Sequence, residues 1–117
     1  MNDRITIYQK PTCSKCRETL KLLRESGQEF DAINYYETPL TAVQLRELLD
    51  KLGLPPRAIL RSEESLARSM KLGQRELSDD ELIQIMVENP DLIQRPIVVR
   101  GDQAELCRPP ENVMKLL

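Results

Sequence analysis

The chain has 117 residues, enough for one domain with its own hydrophobic core. Its formal net charge is only −2, so the composition gives no basis for a protein that binds nucleic acid or a charged membrane surface. The first residues contain no long apolar run, so neither a signal peptide nor a membrane-spanning helix is predicted, and we expect a cytoplasmic protein.

The first third of the sequence predicts a strand, a helix and a second strand. Alternating β-branched residues indicate the first strand over 4–8, and an apolar stripe over 12–26, followed by Gly27, indicates the helix. Residues 29–36 have the pattern of another strand. Two strands that flank a helix of this length predict a right-handed βαβ unit with parallel strands.

The middle of the chain, about 40–90, is predicted to be helical. Two capping-box patterns each precede a run of apolar residues at helical spacing. The paired residues are Thr41 with Gln44 and Ser78 with Glu81. Gly53 is expected to end the first of these helices. Residues 55–70, between them, are predicted to contain one or two short helices.

The last part of the chain predicts two strands and a helix. Residues 96–100 and 104–108 flank a loop that contains Gly101, which is typical of a β-hairpin. A short helix is predicted after the two prolines that follow. We therefore expect a single α/β domain over 1–117, in which a helical insertion separates an N-terminal βαβ part from a C-terminal ββα part.

The chain has three cysteines, at positions 13, 16 and 107, and no histidine. The odd number and low density of cysteines argue against a secreted scaffold held by disulfides. Without histidine, every Cys-His nucleophile pair and every zinc site with imidazole ligands is excluded. A structural zinc site needs four ligands, which three cysteines do not fill without a carboxylate or a partner chain. No metal site is predicted.

The Cys13-x-x-Cys16 motif follows the first predicted strand, at the start of the predicted helix. The dipole of a helix favours an anion at its N-terminus, and Lys10, Lys15 and Arg17 add positive charge. Cys13 is therefore predicted to be a thiolate nucleophile. Cys16, one turn further along, is placed to attack Cys13 once Cys13 is oxidised or bonded to another group. The alternative is that Cys16, which lies on the apolar stripe, is only a small buried residue.

The order βαβ, helical insertion, ββα, with Cys-x-x-Cys after the first strand, is similar to the thioredoxin-like arrangement. The segments ITIYQKPTCSKCRETL, YYETPLT, RAILR, LIQRPIVV and LCRP resemble the ArsC-type arsenate reductase family, in the same order and along nearly the whole chain. That family also includes Spx-type transcriptional regulators. The resemblance implies a thioredoxin-like fold with a helical insertion, and an oxidoreductase.

The resemblance also implies roles for individual residues. Cys13 matches the catalytic cysteine of the family, and Pro96 matches the cis-proline of thioredoxin-like folds. Arg61, Arg95 and Arg108 match three arginines that hold the arsenate oxyanion and its cysteine adduct. Guanidinium chemistry agrees with this role, because a planar guanidinium forms paired hydrogen bonds with oxyanions.

The sequence departs from the family pattern on both sides of Cys13. The family's His-Asn-Pro is Gln9-Lys10-Pro11 here, and its Gly-Thr-Ser is Ser14-Lys15-Cys16. The family's serine is thus replaced by Cys16, and we expect Cys16, rather than glutathione, to resolve the adduct. Cys107 is interpreted as a buried strand residue without a catalytic role, because it lies on an alternating segment.

The leading hypothesis is an arsenate reductase that converts arsenate to arsenite. It needs no bound cofactor, and an external thiol reductant restores the cysteines: glutathione with glutaredoxin, or thioredoxin. The substrate is arsenate or a similar oxyanion, and neither nucleic acid nor membrane is an expected partner. The alternatives are a Spx-like redox-sensing regulator that binds RNA polymerase, against which the chain retains Arg108, and a general thiol-disulfide reductase.

Overall fold

The computed structural model describes residues 4–117, which fall into two compact units. The first unit combines the N-terminal part up to Thr38 with Arg95–Leu117, and the second is Pro39–Gln94. Within residues 4–117, no helix is long and apolar enough to cross a membrane. The prediction that the N-terminus forms neither a signal peptide nor a spanning helix also covered the first three residues, which lie outside the described residues.

The first unit is built on a four-stranded sheet. Its elements are β1 (Ile5–Gln9), α1 (Ser14–Glu25), β2 (Phe30–Asn34), β3 (Ile97–Arg100), β4 (Gln103–Leu106) and a 3-10 helix over Pro110–Leu116. The strand order is β2-β1-β3-β4; β1 and β2 are parallel, whereas β3 is antiparallel to both β1 and β4. The predicted α/β class and its thioredoxin-like strand arrangement are confirmed, including the parallel βαβ unit and the C-terminal hairpin.

Apolar side chains from β1, α1 and the final 3-10 helix form the core of the first unit. Burial alternates along β1, so that Ile5 and Ile7 pack on one face of the sheet against Leu20 and Leu23 of α1. Each such buried side chain contributes about 1.5–3 kcal/mol relative to an exposed one. This packing fixes α1 against the sheet, so the short segment from the end of β1 to the start of α1 is anchored at both ends.

Helix α1 begins later than the predicted residue 12, because a turn precedes it. Cys13 is the N-cap residue, with an extended backbone at φ −83° and ψ 126°. Its sulfur accepts a hydrogen bond from the amide of Cys16, as the side chain of an N-cap residue commonly does. At the other end, Gly27 adopts φ 74°, the left-handed conformation that glycine adopts readily after a helix.

The second unit is helical, as predicted for the middle of the chain. It contains α2 (Ala42–Leu52), α3 (Ser65–Ser69), α4 (Asp79–Glu88) and 3-10 helices over Pro56–Ile59 and Pro90–Leu92. Both predicted capping boxes are present, at the starts of α2 and α4. Gly53, with φ 69°, ends α2 as expected. These starts were predictable because each cap depends on residues only three positions apart.

Several boundaries differ from the prediction by a few residues. β2 ends at Asn34 rather than at 36, and the hairpin turn is tighter than expected, because Gln103 already belongs to β4. Cys107 is buried but lies one residue beyond β4, although its amide still donates to the carbonyl of Pro96 at 2.9 Å. The C-terminal helix is a 3-10 helix rather than an α-helix.

Candidate active site

Cys13 lies in the turn between β1 and α1. Its amide donates to the carbonyl of Lys10 at 2.9 Å, and its own carbonyl accepts from the amide of Arg17 at 3.0 Å. Its sulfur, which is partly exposed, accepts from the amide of Cys16 at 3.4 Å. The backbone therefore holds the sulfur over the free amides of the helix N-terminus, where an anion is favoured.

These contacts stabilise the thiolate form of Cys13. Partial burial acts to raise the pKa of Cys13, but hydrogen bonds from the thiol and amide of Cys16, the guanidinium of Arg95 and the amide of Lys15 outweigh it. The pKa of Cys13 is consequently lowered from its ordinary value. A larger thiolate fraction near neutral pH is what a cysteine nucleophile requires.

Cys16 has the opposite properties. It is fully buried on the inner face of α1, and its sulfur accepts from the amide of Lys10 at 3.5 Å. Burial, with the neighbouring Cys13 acting in the same direction, raises the pKa of Cys16 to about 12. The two cysteines are thus chemically distinct: Cys13 is partly exposed with a lowered pKa, and Cys16 is a buried, protonated thiol.

Arg95 is a buried cation next to the Cys13 sulfur. Only 7% of the residue is exposed, and its Nη1 donates to the phenol oxygens of Tyr35 at 3.4 Å and Tyr36 at 3.2 Å. Its guanidinium also lowers the pKa of Cys13. Arg95 directly precedes Pro96, and the peptide bond between them is cis.

Tyr35 and Tyr36 were not among the predicted site residues. Their ring centroids are 5.1 Å apart, and the Nζ of Lys10 lies 4.6 Å from the centroid of the Tyr36 ring. Lys10 and Arg95 therefore both contact Tyr36. A sequence signal for this pair existed: the tyrosines follow β2, and parallel neighbouring strands end at the same edge of a sheet.

Arg108 is exposed and belongs to the same unit as Cys13. Its Nη1 donates to the carbonyl oxygen of Arg95 at 3.2 Å, so two of the three predicted anion-binding arginines are in contact. The Arg108–Pro109 peptide bond is also cis. Cys13, Cys16 and Arg95 thus interact directly, and Arg108 joins them through Arg95.

Arg61 lies in the second unit. Its guanidinium pairs with the carboxylate of Glu64 at 3.0 Å and donates to the carbonyl of Asp91 at 3.3 Å. Its amide donates to the carbonyl of Leu92 at 2.7 Å. These contacts position the arginine within its own unit, and its role in binding an oxyanion stays a prediction.

Gln9 occupies the position of the histidine in the His-Asn-Pro pattern of the family that the sequence resembles. It is buried at the end of β1, and among residues 4–117 its side-chain oxygen has no hydrogen-bond partner. The same part of the chain groups no three Cys, Asp or Glu side chains in an arrangement that could hold a metal ion. The described side chains around Cys13 instead offer cations and phenols.

Comparison with known proteins gives a consistent result along the whole chain. The model of the ArsC family matches residues 8–116. The uncharacterized protein YfgD of Escherichia coli (strain K12) is 45% identical over 118 residues, which cover 100% of this chain and 99% of that protein. An arsenate reductase of the same strain is 42% identical over 113 residues, which cover 97% of this chain and 80% of that protein.

Solved structures agree with the sequence relatives. An arsenate reductase from Vibrio cholerae is 44% identical, superposes with a TM-score of 0.94 and matches 100% of both chains. A putative arsenate reductase from Yersinia pestis is also 44% identical, with a TM-score of 0.90 over 95% of this chain and 98% of that one. The similarity to the Vibrio cholerae protein, which covers the whole chain, includes the segment that contains Cys13 and Cys16.

Proposed function

Because the chain belongs to the ArsC family, we propose that it is a thiol-dependent arsenate reductase, with Cys13 as the nucleophile and Cys16 as the resolving thiol. Relatives named arsenate reductase support the reaction class. The main observation behind the proposal is the Cys13 sulfur at the N-terminus of α1, which accepts from the amide of Cys16 and whose pKa is lowered, in part by the guanidinium of Arg95. An anionic nucleophile beside a fixed cation suits attack on an oxyanion.

The first step is attack of the Cys13 thiolate on the arsenic of arsenate. An S–As bond forms, one As–O bond breaks, and the oxygen leaves as water after protonation, while arsenic stays pentavalent. Arg95 and Arg108 offset the negative charge of the substrate, and Arg61 is proposed to assist them. Arg95 is already desolvated and held by two phenols, so little reorganisation is needed when the anion arrives.

In the second step, the sulfur of Cys16 attacks the sulfur of Cys13. A disulfide bond forms, the S–As bond breaks, and its electron pair stays on arsenic, which leaves as trivalent arsenite with the proton of Cys16. The hydrogen bond from the Cys16 amide to the Cys13 sulfur, at 3.4 Å, places the two cysteines next to each other and supports this order of events. We propose that no bound cofactor takes part, and that glutathione with glutaredoxin, or thioredoxin, restores the dithiol by exchange in the cytoplasm.

The test is arsenate-dependent oxidation of NADPH in two coupled assays, one with glutathione and glutaredoxin and one with thioredoxin. We expect activity in at least one assay and loss of it in Cys13→Ser. Cys107→Ala serves as the matched control, because that cysteine is buried, its thiol donates to the carbonyl of Glu105, and the variant should keep the activity. A protein that reduces a small disulfide but not arsenate would instead be a general thiol-disulfide reductase.

A further inference from the structure

The two sulfurs of the motif form a preorganised pair. The amide of Cys16 holds the sulfur of Cys13 at 3.4 Å, and the amide of Lys10 holds the sulfur of Cys16 at 3.5 Å. Both thiols are free, and Cys13 is the partly exposed one. Two soft ligands are therefore held by backbone amides of the same turn, with access from solvent on the side of Cys13.

We propose that the reduced Cys13–Cys16 pair is a binding site for trivalent arsenicals, in which one arsenic atom bonds to both sulfurs. The site differs from the adduct of the reaction, which contains pentavalent arsenic on Cys13 alone. The ligand class is a neutral As(III) species with two exchangeable oxygens, such as arsenite or a mono-organic arsenical.

The chemistry of arsenite suits the protonated state of Cys16. Arsenite is As(OH)3 near neutral pH, and it condenses with two thiols to give a dithioarsenite, (RS)2As–OH, and two waters. No electrons are transferred, and each thiol proton leaves in a water molecule. Burial, which raises the pKa of Cys16 to about 12, is therefore not an obstacle. A divalent metal, by contrast, needs both thiols as thiolates and must release their protons to solvent.

The accessible thiolate makes the first bond, and the buried thiol then makes the second one within the protein. Because the second bond forms within the protein, binding through both sulfurs is tighter than binding through one, typically by about a hundredfold or more. The geometry is less demanding than that of a disulfide, whose sulfurs must approach to about 2.05 Å. An arsenic atom between the sulfurs leaves them further apart than a direct S–S bond does.

This binding has a consequence for turnover, which rests on the proposed function. The reaction releases arsenite from a protein whose Cys13 and Cys16 are joined in a disulfide and have no free thiol. The product is therefore bound only after the reductant has restored the pair. It then blocks the next attack on arsenate, so the reduced enzyme is inhibited by its own product.

The experiment is calorimetric titration of reduced protein with sodium arsenite, and in a second arm with phenylarsine oxide, combined with native mass spectrometry. We expect one arsenic per chain, protection of both motif cysteines from iodoacetamide, and a Kd at least about a hundredfold lower than that of Cys16→Ser. Cys16→Ala, checked for folding by circular dichroism, provides a second variant in which the buried site carries no hydroxyl. Cys107→Ala should bind like the wild type.

Equal affinity of the wild type and both Cys16 variants would overturn the proposal, because one sulfur would then suffice. Binding by the disulfide form, or loss of binding in a folded Cys107→Ala variant, would overturn it as well. Arsenite is added directly, so the titration is independent of catalysis. A protein that binds arsenite in this way but does not reduce arsenate refutes only the proposed function.

Discussion

Arg108 donates a hydrogen bond from its Nη1 to the carbonyl oxygen of Arg95 at 3.2 Å, and so an exposed arginine contacts the backbone of a buried one. Arg95 is in turn fixed by the phenols of Tyr35 and Tyr36, and its guanidinium lowers the pKa of Cys13. The exposed guanidinium of Arg108 therefore contacts the residue whose charge acts on the nucleophile. The two arginines are expected to contribute differently to binding an anion.

Arg95→Lys should lower kcat/KM for arsenate by roughly tenfold or more. Lysine keeps the charge but cannot bond to the tyrosines and to the substrate at once, and one hydrogen bond to a charged group is worth about 1.5–3 kcal/mol. Arg108→Lys should have a smaller effect in the same direction, because Arg108 is exposed. Steady-state kinetics measures both, with Arg24→Lys on the exposed face of α1 as the control. Wild-type kinetics in Arg95→Lys would show that its guanidinium does not bind substrate.

Tyr36→Phe and Tyr36→Leu separate the two contacts that Tyr36 makes. The phenylalanine variant loses the hydroxyl that accepts from Arg95 at 3.2 Å but keeps the ring that lies 4.6 Å from the Nζ of Lys10. We expect its KM for arsenate to rise several-fold, about as much as one hydrogen bond of 1 kcal/mol allows. The leucine variant also loses the ring, so its KM should rise further. If both variants match the wild type, Tyr36 does not position Arg95.

The pH dependence of alkylation tests the assignment of the nucleophile. Because the pKa of Cys13 is lowered, its thiolate persists below the ordinary range of thiols and disappears only as the pH falls through the depressed value. Iodoacetamide should therefore label Cys13 first, with a midpoint below 9.0, the ordinary thiol value. Cys13→Ser should remove this fast phase, whereas Cys16→Ser should keep it. Mass spectrometry that finds Cys16 labelled before Cys13 would reverse the roles.

Stability at alkaline pH tests the burial of Cys107. Burial raises its pKa to about 12 from 9.0, so between these values the folded state holds a proton that the unfolded state has lost. The free energy of unfolding therefore falls as the pH rises, by up to about 1.4 kcal/mol per pH unit for this thiol. In Cys107→Ala, the free energy of unfolding should fall less steeply with pH, as measured by urea denaturation at a series of pH values. The pKa of Cys16 is also raised to about 12, so part of the decline should remain in this variant. An unchanged slope in Cys107→Ala would contradict the raised pKa.

The features that could be predicted from the sequence are those that depend on near neighbours. The capping boxes of α2 and α4 and the position of Cys13 before α1 each follow from residues three or four positions apart. Tyr35 and Tyr36 were missed because they reach Arg95 across some 60 residues of sequence. No local pattern encodes that contact, which arises when the sheet brings the end of β2 and the start of β3 to the same edge.

The last prediction concerns whether Cys16 resolves the adduct without an external thiol. Its thiol is fully buried with a pKa of about 12, yet its own backbone amide holds the Cys13 sulfur at 3.4 Å, so attack needs only a local proton transfer to the departing arsenite. Well-oriented intramolecular reactions exceed dissolved thiols in effective concentration by orders of magnitude. One equivalent of arsenate added to reduced protein should therefore give free arsenite and a protein two hydrogens lighter. Cys16→Ser should instead accumulate the Cys13–arsenic adduct until glutathione is added. The same persistent adduct in the wild type would show that Cys16 takes no part.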